Sequence, residues 1–248
     1  MTAALAPVTG SVHSWDISTG VDGPGTRFVA FLSGCPLRCL YCQNPDTWAR
    51  GNGIRCDADD MLGEAAKYVP FITASGGGAT VSGGEPLQQP GFASALLRGF
   101  RELGLHTALD TSGFLGRAAS DELLDATDLV LLDIKAGQPE TYRRLTGRDL
   151  DPTLRFAERL AARGTPVWVR YVLVPGITDA PAEVETVARF AAGLGVVDRV
   201  DVLPFHTLGS AKWAELGRRF VLADTPAPTA AQVERARMTF REQGLIAY

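Results

Sequence analysis

The chain has 248 residues, 46% of them hydrophobic, and a mean hydropathy of +0.04, which is enough for one substantial core and suits an α/β fold in a single domain. Its net charge of −4 and scattered Lys and Arg exclude a nucleic-acid footprint and a polybasic membrane patch, so the expected partner is a protein or a small molecule. Residues 1–8 lack a basic n-region, and no stretch reaches transmembrane length, so a cytoplasmic protein without membrane contact is expected.

In chain order, residues 1–20 read as a tail and lead-in, and residues 21–248 as one domain with a closing C-terminal helix. Apolar runs predict strands at Arg27–Leu32, Ala79–Ser82, His106–Leu109, Leu129–Ile134, Val167–Val174 and Val200–Leu203. Amphipathic stretches predict helices at Asp59–Tyr68, Gly91–Leu103, Ser120–Ala126, Pro139–Leu145, Thr153–Ala162, Pro181–Ala192 and Thr229–Gln243. Six strand-helix units with right-handed crossovers close into a partial (β/α)6 barrel of parallel strands. Neither Gly76-Gly-Gly nor Gly83-Gly belongs to a Rossmann or P-loop fingerprint, so nucleotide binding of those kinds has no support.

After the first strand comes Cys35-Pro-Leu-Arg-Cys39-Leu-Tyr41-Cys42, three of the chain's four cysteines in eight residues. Thiolates this close can grip one metal centre from a single loop. Iron–sulfur cubanes usually take four cysteines, so a trio suggests a 4Fe-4S cluster with one iron left open. The competing readings are a structural zinc site, for which no fourth His or Cys sits at a suitable spacing, and three ordinary buried thiols. Cys56 reads as a packing or surface cysteine without a ligand role.

Catalytic groups on parallel α/β barrels gather where the strands end. Here Cys35 follows the first run, Glu85 the second, Asp110 and Thr111 the third, Asp133 and Lys135 the fourth, and His206 the sixth, with Arg170 inside the fifth. A period of two puts Leu131, Asp133 and Lys135 on one face of their strand, with Leu132 and Ile134 opposite. Charge at such positions must pair, bind a ligand or reach water. Arg170 stands in an otherwise apolar run, where a fixed guanidinium suits a carboxylate.

The Cys-x3-Cys-x2-Cys spacing, with Tyr41 before the last cysteine, resembles the cluster motif of radical S-adenosylmethionine enzymes. Further strings narrow the resemblance to the pyruvate formate-lyase activating enzymes. They are Val21 to Phe28, Cys35 to Trp48, Ala74 to Glu85, Leu109 to Phe114, Asp128 to Lys135, Val169 to Gly176 and Leu203 to Trp213. The resemblance implies an oxidoreductase in which S-adenosylmethionine chelates the open iron. Its reductive cleavage then yields a 5′-deoxyadenosyl radical that removes hydrogen from a glycine Cα of pyruvate formate-lyase.

Residue by residue, it assigns Cys35, Cys39 and Cys42 to the cluster and Tyr41, Ser82, Gly83, Gly84, Glu85, Asp110, Asp133, Lys135, Arg170 and His206 to the cofactor. Asp110, Thr111, Asp133 and the Leu131 carbonyl are implied as a monovalent cation site, and Asp22 as a hold on the partner's glycine loop. A low-potential donor such as flavodoxin or ferredoxin, and a monomeric state, follow from the same likeness. Gln43 stands where the family often has histidine. Between Cys42 and Ser82 only Cys56 occurs, so the ferredoxin-like insertion of other glycyl-radical activases is missing. Rival readings are an activase of another glycyl-radical enzyme, a radical enzyme acting on a small molecule, and a non-catalytic iron–sulfur electron-transfer module.

Overall fold

Short runs rich in Val, Leu and Ala with little charge suit strands covered on both faces. They form the centre of the computed structural model, which describes residues 7–248. The strands are β1 (Thr9–Thr19), β2 (Thr26–Leu32), β3 (Ile54–Asp57), β4 (Gly78–Gly83), β5 (His106–Thr111), β6 (Leu129–Asp133), β7 (Val167–Leu173) and β8 (Val197–Pro204). The helices are α1 (Ala58–Ala66), α2 (Val69–Ala74), α3 (Pro90–Glu102), α4 (Asp121–Asp125), α5 (Pro139–Thr146), α6 (Asp151–Arg163), α7 (Pro181–Leu194), α8 (Ser210–Glu215) and α9 (Ala230–Glu242). Among the described residues the strands make one eight-stranded sheet in the order β3-β1-β2-β4-β5-β6-β7-β8. Every pairing from β2 to β8 is parallel, and the sheet ends do not meet, so six parallel strands form an open barrel.

Two expectations are corrected at the sheet edge. Residues 9–19 are not lead-in but β1, which pairs antiparallel with both β2 and β3. The purely parallel six-strand picture therefore gains an antiparallel edge of two strands. Both were hard to read: β1 mixes polar residues with few apolar ones, and β3 has only four residues, with Ile54 76% exposed. The short helices α2 and α8 also went unpredicted.

The two faces of the parallel strands have different chemistry. Phe28, Ala30 and Leu32 of β2, Ala79 and Val81 of β4, Val130 and Leu132 of β6, and Val169 and Tyr171 of β7 join the main core beneath the helices, together with Phe100 and Leu96 of α3. Each such large side chain contributes about 1.5–3 kcal/mol on burial. The alternate positions, Ser82, Asp110, Asp133 and Arg170, face inward and line a cavity. A second apolar cluster, including Leu37, Tyr41, Trp48, Phe205, Trp213 and Phe220, packs around the cysteine loop.

Local chemistry fixes the helix ends that feed this arrangement. Asp57 caps α1, Ser120 caps α4, and Thr229 forms a capping box with Gln232 at α9. Proline stands in the first turn of α3, α5, α6 and α7, where its missing N–H costs no hydrogen bond. The loops after the parallel strands are left free to carry function.

Candidate active site

The cysteine loop leaves β2 at Gly34, which sits at φ 103° and donates its N–H to Thr47 O at 2.6 Å. Cys35 N donates to Trp48 O, while Arg38 N and Leu40 N donate to Thr146 O and Leu145 O at the end of α5. Arg38 Nη1 donates to the carbonyls of Cys35 and Leu37, each at 2.7 Å. Backbone contacts on both flanks thus hold the loop over the open end of the barrel. Cys35, Cys39 and Cys42 all line the same cavity of about 320 Å³. Cys56 lies on β3 outside it, half-buried, with Sγ donating to Asp57 O at 3.2 Å.

As free thiols the three are firmly protonated. Burial pushes Cys35 and Cys42 up and Cys39 up to about 12, the last despite the pull of Lys135. A thiolate here thus requires a cationic metal to replace its proton.

Opposite the cysteines, β4 to β7 supply a charged network. Arg170 pairs with Asp110, and its Nε lies 3.1 Å from Asp133 Oδ1. Lys135 Nζ lies 2.7 Å from Asp133 Oδ2, and Ser82 Oγ donates to Asp110 Oδ2 at 2.6 Å. Burial raises the Asp110 carboxyl to about 6 against the attraction of Arg170. Burial works on Asp133 too, but Arg170 and Lys135 together hold it below the usual carboxylate range. Desolvation opposes the charge of Lys135, but Asp133 keeps it firmly cationic. Two cations and two carboxylates therefore compensate one another around one side of the cavity.

The mouth is completed by the segment after β8. Trp213 Nε1 donates to Cys42 O at 2.9 Å, and Lys212 Nζ donates to Asn44 Oδ1 at 2.8 Å. Gln43 Nε2 donates to His206 O at 3.0 Å, and Gly209 N donates to Gln43 Oε1 at 2.7 Å. His206 itself lines the cavity.

Residues 29–191 match the family model described as the Radical SAM superfamily. Over 239 residues the chain is 40% identical to the pyruvate formate-lyase 1-activating enzyme of Escherichia coli K12, covering 96% of this chain and 97% of that protein. It is 43% identical over 232 residues to the pyruvate formate-lyase-activating enzyme of Listeria monocytogenes, covering 90% and 93% of the two chains. The chain belongs to the pyruvate formate-lyase-activating enzyme family of radical SAM proteins. Solved structures agree on the fold. A radical SAM methyltransferase from Sphaerobacter thermophilus superposes with a TM-score of 0.64 at 18% identity, over 94% of this chain and 71% of that one. A domain of a pyruvate-formate lyase-activating enzyme from Bacteroides vulgatus gives 0.57 at 22%, covering 69% of this chain and 98% of that domain.

The family uses a 4Fe-4S cluster and S-adenosylmethionine, and the cavity of this activase-family chain fits both. Three soft thiol donors face it from one loop, as a cluster with one open iron requires. The Tyr41 hydroxyl is buried at the cavity wall with no hydrogen-bond partner, a donor a polar ligand would satisfy. Lys135 uses one contact to Asp133 and retains ammonium protons for a carboxylate.

Most of the residues expected at the site line the cavity, including Ser82, Gly83, Gly84, Asp22 and Thr111. Glu85 does not. Its carboxylate is 1% exposed and accepts from Thr111 Oγ1 at 2.6 Å, Ser112 N at 3.0 Å and Leu87 N at 3.2 Å, with Ser112 Oγ at 2.5 Å. It ties the residues that follow the Gly83-Gly84 turn to the end of β5. The Leu131 side chain packs among Ala108, Leu129 and Trp168, whereas the expected cation contact is its carbonyl. Asp110 and Asp133 are both paired with Arg170. Trp48 and Trp213 had no assigned role, although both lie in strings that carried the family resemblance.

Proposed function

We propose that this chain activates pyruvate formate-lyase by removing a hydrogen atom from a glycine Cα of that enzyme. The observation that carries this reading is the 40% identity to an activating enzyme over 96% of the chain. When bound, the reduced cluster and S-adenosylmethionine supply a 5′-deoxyadenosyl acceptor, which takes the hydrogen and leaves the radical on glycine.

The protein's own contribution is placement and exclusion of water. Cys35, Cys39 and Cys42 would hold three irons; Lys135 and the Tyr41 hydroxyl would orient polar groups of the cofactor. The 82–84 turn suits its amino end because Gly83, at φ 122°, lets backbone approach where a Cβ would strike Leu32 N at 2.1 Å. Asp22 and His206 line the same cavity, Asp22 as a candidate to meet the incoming glycine segment and His206 as a candidate for the cofactor. Glycine suits the reaction because no side chain obstructs its Cα. A low-potential one-electron donor of the flavodoxin or ferredoxin class, and action as a monomer, complete the proposal.

The test is anaerobic reconstitution with reductant, S-adenosylmethionine and intact lyase carrying Cα-deuterated glycine. Expected are a glycyl radical by electron paramagnetic resonance and deuterium in 5′-deoxyadenosine. Cofactor cleavage without deuterium transfer from the lyase, with transfer from a small metabolite instead, would overturn the reading. Cys39→Ala should lose iron and Cys56→Ala keep it.

A further inference from the structure

The outer wall of the cysteine loop carries three arginines that form no ion pair among the described residues. Arg38, Arg148 and Arg218 are all exposed, whereas neighbouring Arg143 pairs with Asp149. Each instead leans on the loop or its aromatic neighbours. Arg148 Nε donates to Pro36 O at 2.8 Å, next to the Cys35 and Leu37 carbonyls that Arg38 holds. Arg38 and Arg218 both lie over the Trp48 ring, 5.0 and 5.4 Å from its centroid.

Trp48 joins that rim to the interior. Its ring is 8% exposed, yet it lines the cavity with the three cysteines and packs edge-on, 5.0 Å between centroids, against Trp213, whose Nε1 donates to Cys42 O. The indole therefore spans the wall between the arginine rim and one of the three cysteines. Electron transfer falls steeply with distance, so a donor seated on this rim would lie close to the metal centre.

We infer that the rim of Arg38, Arg148 and Arg218 around Trp48 is the docking surface for an acidic protein that delivers one electron to the cluster. The inference rests on the reading under Proposed function and adds the place of entry. Guanidinium forks suit surface carboxylates, and a chain with net charge −4 repels an acidic partner elsewhere, which orients it to this face. The carrier is oxidised by one electron as the metal centre is reduced by one. The glycyl-radical partner has a different requirement, since its glycine must enter the cavity and not rest on the outside of the loop.

The experiment compares the reconstituted protein with Arg218→Glu and Arg218→Lys, all matched for iron content. Arg218 is chosen because its side chain lies over the Trp48 ring and, among the described residues, makes no hydrogen bond or ion pair, so the loop's hydrogen bonds stay intact. Reduced flavodoxin serves as the acidic carrier and dithionite as a reductant that needs no docking, and cluster reduction is followed by rapid-mixing absorbance. Arg218→Glu should slow flavodoxin-driven reduction about tenfold or more at low salt and weaken flavodoxin binding in parallel. Arg218→Lys should keep most of the rate, added salt should narrow the gap, and dithionite should reduce all three alike. Equal flavodoxin rates and affinities for wild type and Arg218→Glu would overturn the inference. So would a loss confined to binding of the lyase. Failure of dithionite to reduce a cluster in any of the proteins would instead sink the underlying cofactor reading.

Discussion

Gly209 and Gln43 clasp the two sides of the active-site mouth: the Gly209 amide donates to Gln43 Oε1 at 2.7 Å, and a Cβ on Gly209 would lie 2.7 Å from Gln43 Cα. Gln43 Nε2 in turn donates to the carbonyls of Tyr41 and His206. Gln43 thus does by neutral hydrogen bonding what a charged imidazole would do differently. It ties the residue after the third cysteine to the segment that carries His206 and Trp213.

Gly209→Ala should open that clasp by steric overlap, and Gln43→Ala should open it by removing three hydrogen bonds, each worth about 1 kcal/mol. Hydrogen exchange of residues 206–213 should accelerate in both variants, while the exchange of α3 stays unchanged. Equal protection of the 206–213 segment in Gln43→Ala and wild type would show that the clasp contributes nothing to its order.

Arg170 has a larger structural role than its sequence position implies. Its guanidinium, 13% exposed at the side chain, sits between Asp110 and Asp133. Arg170→Met leaves Asp110 buried without its cation, with Asp133 held by Lys135 alone, and should cost about 3–5 kcal/mol in a urea unfolding titration. Arg170→Lys should recover part of it. A Met variant as stable as wild type would return Arg170 to a role toward ligand alone.

That distinction marks how far the sequence reached. The strands β2 and β4 to β8 were legible because parallel strands buried on both faces read as apolar runs, and the cysteine trio because its members share one loop. The partners of Arg170 lie 37 and 60 residues away in sequence, and no local pattern specifies which carboxylate a cation meets. The partners of Glu85 were hidden for a related reason. Its strand-end position is visible, but the direction its side chain takes depends on Thr111 and Ser112, at the end of the next strand and 26 and 27 residues later. The edge strands β1 and β3 stayed hidden because pairing, not hydrophobic pattern, defines them.

The pH dependence of stability should carry a signature of His106. Its ring Nδ1 lies 3.0 Å from Arg27 Nη1, and burial followed by the Arg27 charge depresses it below its ordinary 6.5. The unfolded chain therefore takes up this proton first, so the contribution is complete above 6.5 and is lost progressively as pH falls below 6.5 and through the lower folded value. Asp110 acts in the opposite sense: raised from 3.8 to about 6, it lowers stability as pH rises across that interval. Comparing urea midpoints of wild type and His106→Asn from pH 5 to 8 isolates the histidine. The wild type should lose more stability on acidification than the variant, and parallel profiles would refute the assignment.

Glu85 offers a test of brace against ligand. Four donors converge on its two oxygens, and burial raises its carboxyl in spite of the Ser112 and Thr111 hydroxyls. Glu85→Gln keeps the shape but turns an NH2 group toward donors, leaving at least one of them unpaired. That should cost roughly 1–3 kcal/mol. Because the cysteine loop is held separately, through Thr47, Trp48 and the end of α5, iron content after reconstitution should stay at the wild-type level. The brace also sets Thr111 and Ser112 in the cavity wall, so S-adenosylmethionine affinity should fall only to the extent that thermal stability does. Glu85→Ala, which also leaves the donors unpaired and adds a cavity, should lose more of both than Glu85→Gln. If Glu85→Gln unfolds at the wild-type midpoint yet no longer binds the cofactor, Glu85 is a ligand and the turn it caps needs no brace.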